Sequence, residues 1–240
     1  MTFNIRIDVP VDKKNQWEYR KNAVVEYIKK ENPDFIGFQE STLHMIHFLS
    51  EELNEYKIIG SPRDSSGEST PIFYKYNQFQ LQEEKTVWLT NTPFTPSKDV
   101  ESFFPRIATY GIFKQNNAIP FIICNTHLDY ASDKIQEKQI KILVTILDSY
   151  PLKKLILGDF NATSDKIVHS FLEKHKFHHT YSFKQLSQAT FHNFQGTLFG
   201  DPIDYIYITE DWNHTSSTID QQTLEPVMLS DHYPVICNVE

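Results

Sequence analysis

Apolar runs that stop on a carboxylate or an amide constrain this chain more than any other feature. Leu155-Ile-Leu-Gly-Asp-Phe-Asn-Ala162 is the clearest: an apolar strand from Leu155 to Leu157 delivers Gly158, Asp159 and Asn161 to its carboxyl end. Asp159 and Asn161 are two apart, so extended backbone sends both side chains to one side, a carboxylate next to a carboxamide. That pair suits a site handling a proton and an anion together; it equally suits a turn or a helix cap. Asp34-Phe-Ile-Gly-Phe-Gln-Glu40 repeats the pattern, a buried strand ending on a carboxylate.

Periodicity predicts the elements between these runs. Residues 2 to 8 alternate, with Phe3, Ile5 and Ile7 to one side and Asn4, Arg6 and Asp8 to the other, as a strand with one polar face would. Trp17, Lys21, Val24, Val25 and Ile28 fall at helical spacing before Asn32-Pro33. A helix over 42–54 and a strand over 56–59 follow, then a polar loop over 61–68 and a strand pair, 72–76 with 79–89, turning near Asn77. Residues 90–105 carry three prolines and read as a long loop. Strands 106–114 and 119–128 form a hairpin across Gln115-Asn-Asn-Ala, and Ile135, Gln139, Ile142, Leu143 and Ile146 mark an amphipathic helix. A helix over 165–174, an irregular polar region, and strands over 203–208, 216–221 and 233–239 complete the chain. Many strands with only three or four helices predict an α+β or layered α/β fold.

No Gly/Ser linker divides the 240 residues, so one domain over 1–240 is expected. A formal charge of −8 argues against tight, non-specific gripping of long nucleic acid, which needs many Lys and Arg contacts to phosphate. No apolar run approaches a membrane span, and Met1-Thr-Phe-Asn-Ile-Arg leads straight into strand alternation rather than a signal segment. A cytoplasmic protein follows, with Cys124 and Cys237 as buried free thiols in apolar strands.

Polar residues at the ends of expected strands are Asn4, Glu40, His127, Asp129, Asp159, Asn161, Asp204 and the pair Asp231-His232. Asp204 interrupts the apolar Ile203-Asp-Tyr-Ile-Tyr-Ile208, so it needs a cationic or hydrogen-bonding neighbour, and His232 is a candidate. The pieces Thr2-Phe-Asn-Ile-Arg6, Phe38-Gln-Glu40, Pro105-Arg-Ile-Ala-Thr109, Asn125-Thr-His-Leu-Asp129, Gly158-Asp-Phe-Asn161, Ile203-Asp-Tyr-Ile206 and Ser230-Asp-His-Tyr-Pro-Val235 occur in this order over nearly the whole chain. Together they resemble the endonuclease/exonuclease/phosphatase superfamily, the group that includes deoxyribonuclease, base-excision endonucleases, sphingomyelinases, inositol phosphatases and deadenylases.

The resemblance implies a deoxyribonuclease-like, four-layered sandwich of two mixed β-sheets flanked by helices, with a site at one rim. It implies Glu40 as principal Mg²⁺ ligand, with Mn²⁺ as a substitute, Asn4 beside it and Asp231 near the metal. Asp159 matches the residue that orients or deprotonates water, Asn161 the amide holding water or phosphoryl oxygens, and His127 and His232 the pair contacting phosphate, with Asp204 orienting His232. Base-excision endonucleases carry an acidic residue where this chain has Arg6, a cation that can instead meet substrate phosphate or pair with a site carboxylate. Arg63-Asp-Ser-Ser-Gly-Glu-Ser-Thr-Pro-Ile-Phe-Tyr74 is similar to an element of a bacterial branch closer to the deadenylases, in which Glu68 and Arg106 face the cleft. The implied activity is Mg²⁺-dependent hydrolysis of a phosphoester in a small phosphorylated molecule or nucleotide, by a phosphatase or a phosphodiesterase, without membrane or obligate protein partner. A nuclease on single strands or short oligonucleotides is the alternative enzyme, and a catalytically silent binding module the non-enzymatic one.

Overall fold

In the computed structural model, which describes residues 1–116, 118–221 and 228–240, the elements follow in chain order. The first half runs β1 (Thr2–Asn4), α1 (Trp17–Glu31), β2 (Phe35–Gln39), α2 (Leu43–Glu52), β3 (Tyr56–Ile59), β4 (Ile72–Lys75), β5 (Gln80–Trp88) and β6 (Ile107–Lys114). The second runs β7 (Phe121–His127), α3 (Asp133–Leu147), β8 (Lys153–Asp159), α4 (Ile167–Lys174), β9 (Phe177–His179), β10 (Asp204–Thr209), β11 (His214–Ile219) and β12 (Val235–Val239). They build two six-stranded sheets, β11-β12-β1-β2-β4-β3 and β5-β6-β7-β8-β10-β9. Each is mixed: β1–β2 is the parallel pair of the first and β7–β8 of the second. Apolar residues of α1 and α2 pack with Phe3, Ile36, Phe38 and Phe73 of the first sheet. Those of α3 and α4 join the core around the second. No helix among the described residues is long and apolar enough to cross a membrane.

Several expectations need correction. The first strand stops at Asn4, because the Asn4 side-chain oxygen accepts the Arg6 N–H at 3.0 Å and Arg6 turns left-handed at φ 57°. Asn4, Arg6 and Asp8 therefore share no strand face. The segments 72–76 and 79–89 are not paired: β4 is held on both edges by β2 and β3, so the turn at Asn77 passes the chain to the other sheet, where β5 pairs β6. Their burial shows why, since β4 is buried throughout while β5 is mostly exposed or half-buried. On α1 Arg20 is buried with Trp17, Val24, Val25 and Ile28, whereas Lys21 is half-buried and pairs with Glu18 at 2.7 Å. Phe177–His179 forms a strand inside the region read as irregular. Both cysteines are free, but only Cys124 is fully buried; Cys237 is half-buried. The hairpin of β6 and β7 is present, while Asn117 of its expected turn lies outside the described residues.

The sheets meet through polar groups near one rim. Gly37 has no side chain where a Cβ would lie 2.7 Å from Asn125 Cγ, and Asn125 Nδ2 crosses the interface to donate to Phe38 O and Pro71 O, each at 2.8 Å. Gln39 Nε2 donates in turn to Asn125 Oδ1 at 2.6 Å. These bonds satisfy amides that would be costly to bury alone and set the register of β2 against β7.

Behind β10, His169 of α4 supports the chain just after Asn161. Its Nε2 meets Ala162 O at 3.0 Å and its Nδ1 meets Tyr207 Oη at 2.5 Å. A carbonyl only accepts, so Nε2 carries the proton and Nδ1 accepts from the tyrosine, and the ring is neutral. Burial pulls its pKa down to about 4. Between that value and the ordinary 6.5 the unfolded chain binds the proton and the native one does not. Native stability is therefore expected to fall by about 3 kcal/mol as pH drops through this window. An NMR titration should keep the His169 ring neutral at pH 5.5; a ring already protonated there would contradict this account.

Candidate active site

Both parallel pairs end at the same rim. Asn4 lies opposite Gln39 at the end of β1 and β2, and His127 lies opposite Asp159 at the end of β7 and β8. β10 starts at Asp204, also opposite Asp159, so Asp159 sits between a histidine and a second carboxylate on neighbouring strands. The preceding Gly158, at φ 154°, leaves no room for a side chain: a Cβ would stand 2.0 Å from Thr126 O. Three site residues other than glycine hold left-handed backbone, Arg6 (57°), Glu40 (59°) and Asn161 (50°). Such conformations cost of order 1 kcal/mol each and persist where neighbours enforce them.

Asp159 is 1% exposed and is the hub. Its Oδ1 accepts the Asn161 N–H at 2.8 Å and its Oδ2 accepts Asn4 Nδ2 at 3.0 Å. His127 Nε2 lies 3.5 Å and His232 Nε2 3.8 Å from Oδ2. His232 Nδ1 bonds Asp204 Oδ2 at 2.8 Å. Burial, then the charge of Asp204, raise the Asp159 pKa to about 7 against the pull of His232 and the two donors. For His232, burial pulls down but Asp204, Asp159 and Asp231 outweigh it and lift the pKa to about 10. His127 moves the other way, well below the ordinary value, through burial and the charges of Arg106, His232 and Arg63. One histidine is thus cationic and the other neutral beside the same carboxylate. Asn161 Nδ2 donates to Leu128 O at 2.9 Å and reaches His127 Nε2 at 3.1 Å, so His127 Nε2 accepts. In this arrangement His127 steadies the Asn161 amide, and its own Nδ1 is buried with no hydrogen-bond partner among the described residues.

Next to this hub lies an oxygen-rich cluster. Glu40 Oε1 accepts the second Asn4 amide proton at 3.1 Å, and Oε2 accepts the Ile7 N–H at 2.9 Å. Asp231 is close enough that burial and the Glu40 charge push its carboxyl upward. Arg6 stands between them, 3.8 Å from Glu40 and 3.7 Å from Asp231, but its strong bonds go to Asp12 at 2.9 and 3.1 Å. Of the two readings for this cation, pairing with site carboxylates is the one the geometry shows. Two carboxylates and the Asn4 amide oxygen are the donor types a hard divalent cation takes, and their mutual repulsion is what such a cation relieves. Asp159, Asp204 and His232 also offer ligand atoms within 4.8 Å of one another. There the imidazole Nδ1 is already taken by Asp204 and the ring is held protonated, whereas a metal ligand must be neutral, so the Glu40 cluster is the better cation site.

A cleft of about 570 Å³ opens over both groups. Glu68 and Arg106 line it, both nearly buried, and each is paired: Glu68 with Arg63 at 2.6 Å, Arg106 with Asp129 at 3.4 Å. The guanidinium carbons of Arg63 and Arg106 lie 5.0 and 5.5 Å from the Phe104 ring centre. Phe191 lies 5.0 Å from the His232 ring on the other wall. Arg63, Phe104 and Phe191 were not foreseen as cleft residues; the first two flank expected ones, Arg63 in the Glu68 loop and Phe104 one residue before Pro105-Arg106, while nothing in sequence singles out Phe191. A cavity of about 620 Å³ at another part of the sandwich, bordered by Phe35, Phe121 and Trp212, has no histidine in its wall among the described residues.

Known proteins share this fold. A structure from Enterococcus faecalis, a conserved protein of unknown function, superposes with a TM-score of 0.92 at 29% identity, covering 100% of this chain and 98% of that one. A mannosyl-6-phosphatase of Bacteroides thetaiotaomicron superposes with a TM-score of 0.92 at 25% identity, covering 100% and 98%. An uncharacterised protein of Acanthamoeba polyphaga mimivirus is 30% identical over 177 residues, 68% of this chain and 65% of that relative, so the match spans just under two thirds of the viral protein. The model of the Endonuclease/Exonuclease/phosphatase family matches residues 1–232, and the chain belongs to that family.

Proposed function

We propose that this chain is a Mg²⁺-dependent hydrolase that cleaves the phosphoester of a small phosphorylated molecule in the cytoplasm, the whole chain acting as one catalytic unit without a protein partner. The observation that carries the reading is the buried Asp159, held by Asn4 and Asn161 between a neutral and a cationic imidazole. Pairs of groups whose surroundings drive their pKa values apart are how a site assigns acid and base. Asp159, ionised above about pH 7, accepts a proton from the attacking water. His232, kept protonated by Asp204, donates from Nε2 to a phosphoryl oxygen as negative charge grows there. With both Asn161 amide protons taken by Leu128 O and His127 Nε2, its Oδ1 is the atom turned to the chemistry, accepting a hydrogen bond from the attacking water. Glu40, Asn4 and Asp231 would hold Mg²⁺, which supplies positive charge to the phosphoryl and leaving oxygens. The two free cysteines agree with a reducing compartment.

The cleft favours one phosphoryl group on a neutral remainder. Arg63 and Arg106 are already neutralised by Glu68 and Asp129, so the wall offers paired donors and acceptors rather than free cations for a polyanion. Glu68 and Arg106 are the substrate-side contacts in this reading, and Arg6 tempers the charge of the metal-binding carboxylates. The likeness to a mannosyl-6-phosphatase supports a sugar phosphate as one such substrate. Phosphate release from mannose 6-phosphate and p-nitrophenyl phosphate, and hydrolysis of bis-p-nitrophenyl phosphate and labelled oligonucleotides, should be compared with Mg²⁺, Mn²⁺ and EDTA. Turnover of the monoesters that EDTA abolishes is expected. Turnover of oligonucleotides alone would shift the reading to a nuclease, and no turnover together with no Mg²⁺ binding would leave a binding module.

A further inference from the structure

Arg20 of α1 is 0% exposed, yet among the described residues it bonds no carboxylate. Its guanidinium donates to backbone carbonyls: Nε to Asn15 O at 2.6 Å, Nη1 to Ile5 O at 2.9 Å and Leu229 O at 2.6 Å, and Nη2 to Arg6 O at 3.2 Å. The Cζ atom lies 5.7 Å from the Trp17 ring centre and 5.6 Å from that of Phe194. An unpaired buried cation is expensive, and neutral dipoles compensate it only in part. Its partners indicate what it does there. Ile5 and Arg6 follow Asn4 directly, at the point where the chain leaves β1 and turns left-handed. Leu229 precedes Ser230 and Asp231, and Ser230 Oγ donates to Asn4 O at 2.7 Å. Phe194 belongs to the loop whose His192 and Asn193 N–H groups bond Asp231 O at 2.8 and 3.2 Å. One planar fork therefore joins the segment that carries Asn4 and Arg6 to the segment that carries Asp231, far apart in sequence but facing one cluster.

We infer that Arg20 is a positioning residue that sets the distance between the Asn4 and Asp231 arms and so tunes the affinity of the Glu40 cluster for a divalent cation. The inference rests on the metal reading given above. Electrostatics alone predict the opposite sign, because a buried cation near Asp231 repels a second cation and its removal should tighten binding. Lysine keeps the charge as a point without the fork, and methionine removes it.

Calorimetric titration of Mg²⁺ into the wild-type protein, Arg20→Lys and Arg20→Met, each checked for folding by thermal denaturation, separates these effects. Both variants are expected to bind at least about tenfold more weakly, the scale seen when groups that orient metal ligands are removed. Arg20→Lys should regain most of its kcat at saturating Mg²⁺. Wild-type affinity, or tighter binding, in a folded variant overturns the role. Hydrogen exchange in the wild-type protein decides the matter if neither variant folds: Mg²⁺ should slow amide exchange over residues 20–24 of α1, a segment holding no ligand, and unchanged exchange there would overturn it. A wild-type protein that binds no Mg²⁺ would instead remove the metal reading itself.

Discussion

Asp159→Asn is expected to lower kcat by about 10³ while leaving the fold intact. Asparagine has the same shape, and its Oδ1 can still accept one of the bonds now made by Asn4 Nδ2 and the Asn161 N–H. It cannot take a proton from water. The native carboxylate is held at a cost, since burial and the Asp204 charge both oppose its ionisation, so the neutral variant should be as stable as the wild type or more so. Loss of activity with unchanged or raised Tm is the signature of a group retained for chemistry. The pH profile supplies a second sign. A carboxyl that works ionised loses its function as pH falls through its pKa, so wild-type kcat/KM should drop tenfold per unit below about pH 7, a limb that bound Mg²⁺ moves lower. The residual rate of Asp159→Asn should lack that limb. Wild-type turnover in this variant would remove Asp159 from the mechanism.

His232→Ala is expected to lower kcat by about 10³ as well, but with a different companion effect. Its Nδ1 bond to Asp204 is buried, and Asp204 Oδ1 has no hydrogen-bond partner among the described residues. Removing the imidazole therefore leaves a buried carboxylate without its cation, a change that typically costs about 3 kcal/mol of stability. Asp204→Asn, which keeps the ring but weakens its hold on the proton, should cost about 10² in kcat. The double variant His232→Ala/Asp204→Ala should be no slower than His232→Ala alone and more stable than it, because the stranded charge is gone. Additive losses in the double variant would mean that Asp204 acts on its own rather than through His232.

Much of this site was legible because strand ends are legible. Apolar runs locate buried strands, and the residues that terminate them, Glu40, His127 and Asp159, arrive at one rim once parallel pairs form. The mixed sandwich was implied by seven short motifs in family order and agrees with the two sheets. What stayed hidden depends on side-chain and long-range choices that alternation does not encode. Asn4 captures the Arg6 N–H and ends a strand whose apolar alternation continues to Asp8. The partner of β4 is decided by which sheet edge is free, so two adjacent strands that read as a hairpin go to different sheets. Arg20 has a polar identity at a buried helical position, three residues after Trp17 and four before Val24, and only the carbonyls gathered around it explain why. Phe191 reaches His232 from a loop with no periodicity at all.

In the proposed reaction, water activated at Asp159 attacks phosphorus with a divalent cation at the Glu40 cluster. Hydrolysis of mannose 6-phosphate or p-nitrophenyl phosphate in ¹⁸O-labelled water, with Mg²⁺ and with EDTA, tests it most directly. One solvent ¹⁸O in each released phosphate, none in the alcohol, and no release in EDTA are expected. Label in the alcohol, or release of phosphate that EDTA leaves unchanged, would contradict it.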